Sequence, residues 1–235
     1  MMRFVWAICL ASLSIANSPL AFSQSTQPVA LELILALDSS TSVSDQEFEL
    51  QSQGLANAFG EDAVIKAVID RAQASVAVAV VQWSDAQHQS VSVDWRVLRS
   101  EEDCLQLAAE FRNMKRRLRG GTAISGVLDY GRELIMRNAF EGLQKIIDVS
   151  GDGPDLHFVH VKKARDRAVA AGITVNGLAI IDDDENLQAF YRNHVIGGDN
   201  AFVMTANDYS DFSAAIRQKL VRELGGPQLA KIWVE

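Results

Sequence analysis

The sequence predicts an α/β fold, with a doubly wound, Rossmann-like and mostly parallel sheet of six strands and helices on both of its faces. Four short apolar runs have the length of strands buried on both faces, and they lie at 33–37, 75–83, 143–149 and 173–181. Segments of helical periodicity separate these runs almost throughout. The alternating segment Ser90–Leu98 indicates one antiparallel strand at the edge of the sheet.

The remaining elements follow from local signals. Ser44 and Glu47 form the pattern of a capping box, which predicts that a helix begins there and runs to Phe59. We expect further helices at 63–69, 100–118, 123–139, 157–170, 186–194 and 209–224. A last strand is expected at 201–205, before the last of these helices. The expected strand order is 3-2-1-4-5-6, so the switch point falls between the strands at 33–37 and 143–149.

Residues 1–23 have the pattern of a secretory signal peptide. A positive head at Arg3 precedes the apolar core Phe4–Ile15, and small residues stand before a cut ahead of Gln24. The core is shorter than the roughly 20 residues that span a bilayer, and no other stretch is long and apolar enough. We therefore expect an exported protein, periplasmic or secreted, without membrane insertion after cleavage, with one domain at 29–226 and a tail at 227–235.

The composition of the chain limits which classes of function it can have. The 235 residues are 48% hydrophobic and 22% charged, as in an ordinary globular domain, and the formal net charge of −8 lacks the basic footprint of a nucleic-acid-binding protein. Cys9 lies in the signal peptide, so Cys104 is the one thiol expected in the mature chain and no intrachain disulfide can form. The fold must then be stable through its core alone.

Three polar loops carry the candidate site. A cluster of one carboxylate and several hydroxyls follows the first strand at 38–42, a Gly-Gly-Thr loop opens the helix at 123–139, and a Ser-Gly-Asp-Gly loop follows the strand at 143–149. Ligands bind at the carboxyl ends of strands in such sheets, and hard oxygen ligands suit a hard cation. We predict a Mg²⁺ or Mn²⁺ site formed by Asp38, Ser40, Ser42, Thr122 and Asp152.

This layout resembles the metal-ion-dependent adhesion site (MIDAS) of von Willebrand factor A domains and integrin I domains. The chain also resembles a bacterial family of exported von Willebrand A-like proteins of unknown function, in the strings at 75–84, 146–154, 164–178, 195–198 and 215–223. One departure is visible, because that family tends to carry Asn residues where this chain has Asp155-Leu156-His157. The resemblance implies a fold and a metal site, without an established activity.

The resemblance further implies that the metal binds an Asp or Glu of a protein partner. Asp38 and Asp152 formally balance a divalent cation, and the remaining oxygens are neutral. If one carboxylate holds the ion through a water, the ion stays electrophilic. The basic run that contains Arg116, Arg117 and Arg119 precedes the Gly-Gly-Thr loop, where it could attract an acidic partner. The alternative is a solvated helix end, where cations suit the helix dipole.

Other function classes stay open as alternatives. One is a metal-independent scaffold of the same fold, and another is an uncharacterised metal-dependent hydrolase. No general base or nucleophile can be assigned. Ser40 stands where a haloacid-dehalogenase-like phosphatase needs its second Asp, and Ala123 and Val127 replace the glycines of a serine-hydrolase elbow around Ser125. We therefore expect a binding protein rather than an enzyme.

Overall fold

The computed structural model describes residues 26–71, 75–155, 157–182 and 184–225. The predicted signal peptide and the predicted tail at 227–235 lie outside the described residues. Among the helices of the described part, none is long and apolar enough to cross a membrane.

Six strands form one sheet in the order β3-β2-β1-β4-β5-β6, as predicted. Neighbouring strands are parallel except β2 and β3, which confirms the antiparallel edge strand. The strands are β1 Gln27–Asp38, β2 Val76–Trp83, β3 Gln89–Leu98, β4 Phe140–Gly151, β5 Thr174–Ile180 and β6 Val203–Ala206. Both central strands are longer than predicted, because the pairing of β1 with β4 already begins at Gln27 and Phe140.

Helices cover both faces of the sheet. They are α1 Asp45–Phe59, α2 Asp62–Asp70, α3 Glu101–Arg112, α4 Ile124–Arg137, α5 Phe158–Ala170, α6 Leu187–Phe190 and α7 Phe212–Leu224. A π-helical turn at Tyr191–Val195 continues α6. The predicted capping box of α1 is present, since the Ser44 hydroxyl accepts from the Glu47 N–H and the Glu47 carboxylate accepts from the Ser44 N–H.

Two hydrophobic cores lie on opposite faces of β1. Leu33 and Leu35 point into the core that α1, α2, α3 and α7 cover, and Ile34 and Ala36 point into the core that α4, α5 and α6 cover. Because both faces are covered, β1 is apolar along most of its length instead of alternating. Cys104 is a free thiol, buried in α3.

One helix prediction was wrong in its extent. The segment 100–118 is helical only to Arg112, and residues 114–119 have no regular structure. The side chain of Gln82 on β2 explains the break, because its Nε2 donates to the Lys115 carbonyl at 2.8 Å and its Oε1 accepts from the Arg117 N–H at 2.7 Å. These backbone groups therefore bond to a distant side chain instead of to a helical turn.

The start of the last helix was also predicted too early. The helix was expected from Tyr209, but α7 begins at Phe212. Asp208 holds the residues before it in a turn, since its Oδ1 accepts from the backbone N–H groups of Ser210 and Asp211 at 2.7 and 3.0 Å. Tyr209 is therefore a turn residue, and its side chain points toward the site described next.

Candidate metal centre

The first and third predicted loops meet at the carboxyl ends of β1 and β4. These strands are parallel neighbours, with Leu37 opposite Ser150, so Asp38 and Asp152 leave the sheet at the same edge. Ser42 Oγ donates to Asp152 Oδ1 at 2.9 Å and lies 3.0 Å from Ser40 Oγ. The N–H of Ser40 donates to Asp38 Oδ1 at 2.7 Å. Four of the five predicted ligands thus form one connected group.

Hydrogen bonds hold the Gly-Gly-Thr loop, the second of the three, against the first loop at 38–42. The N–H and the hydroxyl of Thr41 both donate to the Gly120 carbonyl, at 2.8 and 2.9 Å. Gly120 has a φ angle of 155°, which an L side chain rarely adopts. The hydroxyl of Thr122 lies 4.0 Å from the position that a Cβ atom would take on Gly153. Thr122 therefore faces the loop that carries Asp152, as the predicted site requires.

Asp38 is more buried than the sequence suggested. We expected its carboxylate where the strand reaches the surface, but the residue is fully buried. Its Oδ2 atom has no hydrogen-bond partner among the described residues. Burial, and after it the negative charge of Asp152, raise the pKa of Asp38 from 3.8 to about 7, although hydrogen bonds with Ser40 and with the Asp152 backbone lower it.

The donor set fits a hard divalent cation. Two carboxylates and three hydroxyls supply only oxygen atoms, and one buried carboxylate oxygen lacks a partner among the described residues. No group of three or more His, Cys, Asp or Glu residues that could hold a metal occurs in the described parts of the chain. A site here would therefore depend on hydroxyl ligands beside its two carboxylates, which is the pattern predicted from the sequence.

Two tyrosines that sequence reasoning missed reach the site. Tyr209 donates its hydroxyl to Asp152 Oδ2 at 3.0 Å. The Tyr191 hydroxyl and Asp38 Oδ2 each lie 2.9 Å from the position of a Cβ atom on Gly151, so only a glycine fits between them. Burial and the nearby carboxylates raise the pKa of both tyrosines, which keeps both hydroxyls neutral. No local pattern marks either residue, because both are distant from the loops in sequence.

Asp155, also missed as a functional residue, joins two helix starts. It is buried, and its Oδ1 accepts from the His157 N–H at 2.7 Å. Its Oδ2 accepts from the Ser125 N–H at 3.3 Å and from the Ser125 hydroxyl at 3.2 Å. The position where this chain departs from the pattern of the resembling family therefore holds the start of α5 against the start of α4.

A family model described as a protein of unknown function, DUF1194, matches residues 28–228. The chain belongs to the DUF1194 family. No curated protein matches it.

Solved structures place the DUF1194 chain in the von Willebrand A fold. A von Willebrand factor type A protein from Catenulispora acidiphila is 16% identical, with a TM-score of 0.58 over 84% of this chain and 43% of that chain. Proximal thread matrix protein 1 from the mussel byssus, in a structure with a zinc-occupied MIDAS motif, is 21% identical, with a TM-score of 0.56 over 85% of this chain and 48% of that chain. The von Willebrand A domain of SpRpn10 is 12% identical, with a TM-score of 0.55 over 78% of this chain and 94% of that chain.

The DUF1194 chain spans less than half the length of the mussel protein. At these identities the likenesses show the fold alone.

The three arginines proposed to meet a partner occupy different environments in the DUF1194 chain. The Arg116 side chain is only 6% exposed, and its guanidinium donates to the carbonyls of Ser39 and Ser40 at 3.0 and 2.5 Å. Arg117 is exposed and donates to the Val91 carbonyl at 2.9 Å. The Arg119 side chain is 63% exposed and pairs with Asp45 at 2.6 Å. Arg116 thus holds the first loop in place, whereas Arg117 and Arg119 remain accessible.

This difference predicts unequal effects of two matched substitutions. Arg116→Ala should lower the free energy of unfolding by about 1.5–3 kcal/mol, the range for hydrogen bonds that involve a charged group, because two loop carbonyls lose their donor. Arg119→Ala should change it by less than about 0.5 kcal/mol, as is usual at exposed positions. Urea denaturation monitored by circular dichroism measures both. Equal stability of the two variants would contradict the positioning role of Arg116.

Proposed function

We propose that this chain is an exported binding protein that holds Mg²⁺ or Mn²⁺ and, through the ion, a carboxylate of a protein partner. Asp38, Ser40, Ser42, Thr122 and Asp152 would hold the ion. The observation that carries the proposal is the meeting of two carboxylates and neutral hydroxyls from separate loops, with the buried Asp38 Oδ2 unpartnered among the described residues. An ion bound there would supply an open, electrophilic position.

The surroundings support recognition rather than turnover. The hydroxyl of Tyr209 and that of Ser42 already donate to the Asp152 carboxylate, which limits its freedom to accept a proton from a substrate. Asp38 is enclosed and cannot reach an outside molecule. We assign no general base at this site and propose no hydrolysis.

Two structural neighbours are consistent with this proposal. The mussel protein holds zinc at its MIDAS motif, and another neighbour of the same fold is the pilus adhesin SpaC from Lactobacillus rhamnosus GG, 13% identical, with a TM-score of 0.54 over 86% of this chain and 30% of that chain. These properties belong to those proteins. They support a metal site and an adhesive role here only through the shared fold.

Isothermal titration calorimetry tests the metal site. Mg²⁺ and Mn²⁺ should bind the purified chain, whereas Ca²⁺ should bind poorly because it prefers more ligands at longer distances. Asp152→Asn should abolish binding, although its amide oxygen still accepts from one of the two hydroxyls, of Ser42 and Tyr209, that donate to Asp152. Thr122→Ala should weaken binding without unfolding the protein. The exposed Asp199→Asn is the matched control and should bind like the wild type.

Absence of Mg²⁺ and Mn²⁺ binding at millimolar concentration would favour the metal-independent scaffold instead. The partner itself is sought by affinity capture from the parent cell envelope, in Mg²⁺ and in EDTA, followed by surface plasmon resonance. A partner that binds equally well in EDTA would show that the metal is not the recognition element.

A further inference from the structure

An exposed aromatic surface lies at the start of α5. Phe158 and Val159 are 51% and 50% exposed. The Phe158 ring is centred 5.3 Å from the His194 ring, which is centred 5.1 Å from the Phe190 ring. We call Phe158, Phe190 and His194 the α5 patch. Single exposed apolar residues are common, but a contiguous group with a polar surround is typical of an interaction surface.

The α5 patch is connected to the candidate metal centre from both of its sides. Its α5 side begins where Asp155, at the end of the third metal-site loop, accepts a hydrogen bond from the His157 N–H. Its other side continues through Tyr191, whose ring is centred 6.3 Å from the Phe190 ring and whose hydroxyl lies against Gly151. The patch therefore lies on the elements that follow β4 and β5, at the edge of the sheet that carries the predicted ligands.

The surface around the α5 patch is basic, in a chain whose formal net charge is −8. Lys162 is exposed and forms no ion pair within the described residues, whereas Arg165 pairs with Asp166 at 2.6 Å. The pKa of His194 is lowered first by burial and then by the positive charges of Lys162 and Arg165, so these cations stand close to the aromatic group. A partner for this surface is therefore acidic as well as apolar.

We propose that the α5 patch is the second contact of the protein partner and selects which acidic segment the metal accepts. The matching segment carries a large apolar or aromatic side chain within a few residues of the Asp or Glu that reaches the metal. A further acidic residue of the segment faces Lys162. This inference rests on the proposed metal-dependent function. Aromatic anchors dominate many interfaces, whereas peripheral charges mainly set the rate of association.

The test is a selection from a displayed library of short random peptides, each with one fixed central Asp, against the purified full chain in Mg²⁺. Selected peptides should be enriched in Phe, Trp and Leu near the Asp and in additional acidic residues. Synthetic versions should bind Phe158→Ser roughly tenfold or more weakly, as expected for the loss of an aromatic anchor. The same variant should keep its calorimetric Mg²⁺ affinity, because Phe158 is exposed and does not contact the predicted ligands.

Two further variants make the test specific. Met136→Ser removes another exposed apolar side chain, at the far end of α4, and should leave peptide binding unchanged. Lys162→Glu should slow peptide association and flatten its dependence on salt concentration.

The possible failures are distinguishable. Peptides that need Mg²⁺ but show no apolar enrichment, and that bind Phe158→Ser normally, would overturn the α5 patch and leave the proposed metal site standing. Peptides that bind equally well in EDTA would overturn the metal-dependent function and the inference that rests on it. Sedimentation of the chain with phosphatidylglycerol vesicles, lost in Phe158→Ser, would assign the patch to a membrane surface and overturn the protein partner.

Discussion

Asp38→Asn is expected to abolish Mg²⁺ binding and, in the same protein, to stabilise the metal-free fold. The carboxylate of Asp38 is fully buried near Asp152, and its pKa is raised to about 7. Above that pH the folded protein therefore carries a buried charge that hydrogen bonds with Ser40 and the Asp152 backbone offset only in part. The neutral side chain of Asn removes this charge but keeps an oxygen that can accept the hydrogen bond from the Ser40 N–H.

The size and sign of the effect follow from the pKa shift. A shift from 3.8 to about 7 means that the ionised carboxylate destabilises the folded state, by up to roughly 4 kcal/mol at about 1.4 kcal/mol per pKa unit. In EDTA, the gain from Asp38→Asn should thus be largest at pH 8 and should shrink as the pH falls through 7. In Mg²⁺ at a hundred times Kd the advantage of Asp38→Asn should shrink by about 2.7 kcal/mol, because only the wild type gains binding energy.

Thermal unfolding of both proteins in EDTA and in Mg²⁺, across this pH range, measures how the difference in stability changes. Asp199→Asn removes an exposed carboxylate and should follow the wild type in all conditions. If the Asp38→Asn variant is less stable than the wild type in EDTA at pH 8, the Asp38 charge is compensated within the fold and the expectation is wrong.

The sheet could be predicted because its signals are local. Each buried strand is a short apolar run, and the alternation of Ser90–Leu98 identifies the edge strand in the sequence itself. The capping box at Ser44 likewise needs only four consecutive residues. Strand order then follows from the rules for doubly wound sheets, and the predicted ligands fall at one edge of the sheet as a consequence.

The features that could not be predicted depend on contacts between distant residues. The helix at 101–112 ends early because Gln82, on another element, bonds to the backbone at Lys115 and Arg117. The run of arginines looks uniform in sequence, yet only Arg116 is enclosed by the first metal-site loop. The contact of Tyr209 with Asp152 spans 57 positions. Residue type alone carries no information about such pairings.

The second large effect is expected far from the metal-site residues, for Lys219→Met. The amino group of Lys219 lies 2.6 Å from Asp148 Oδ1 and 2.5 Å from Glu223 Oε1, and all three residues are buried between α7 and the sheet. Asn176 Nδ2 also donates to Glu223 Oε1, at 2.6 Å. Removing the lysine leaves two buried carboxylates without their cation, which should lower the free energy of unfolding by about 3–5 kcal/mol.

Lys66→Met is a matched control, because Lys66 also forms an ion pair with the residue four positions on, Asp70, at 2.6 Å. The Lys66 and Asp70 side chains are 74% and 59% exposed, so this substitution should change stability by less than about 0.5 kcal/mol.

Burial and the charge of Asp148 already raise the pKa of Glu223 to about 7 in the presence of Lys219. Without the lysine, protonation of the carboxylates should recover part of the loss as the pH falls from 8 to 5. Urea denaturation at both pH values separates the two variants, and equal losses would show that burial does not decide the strength of these ion pairs.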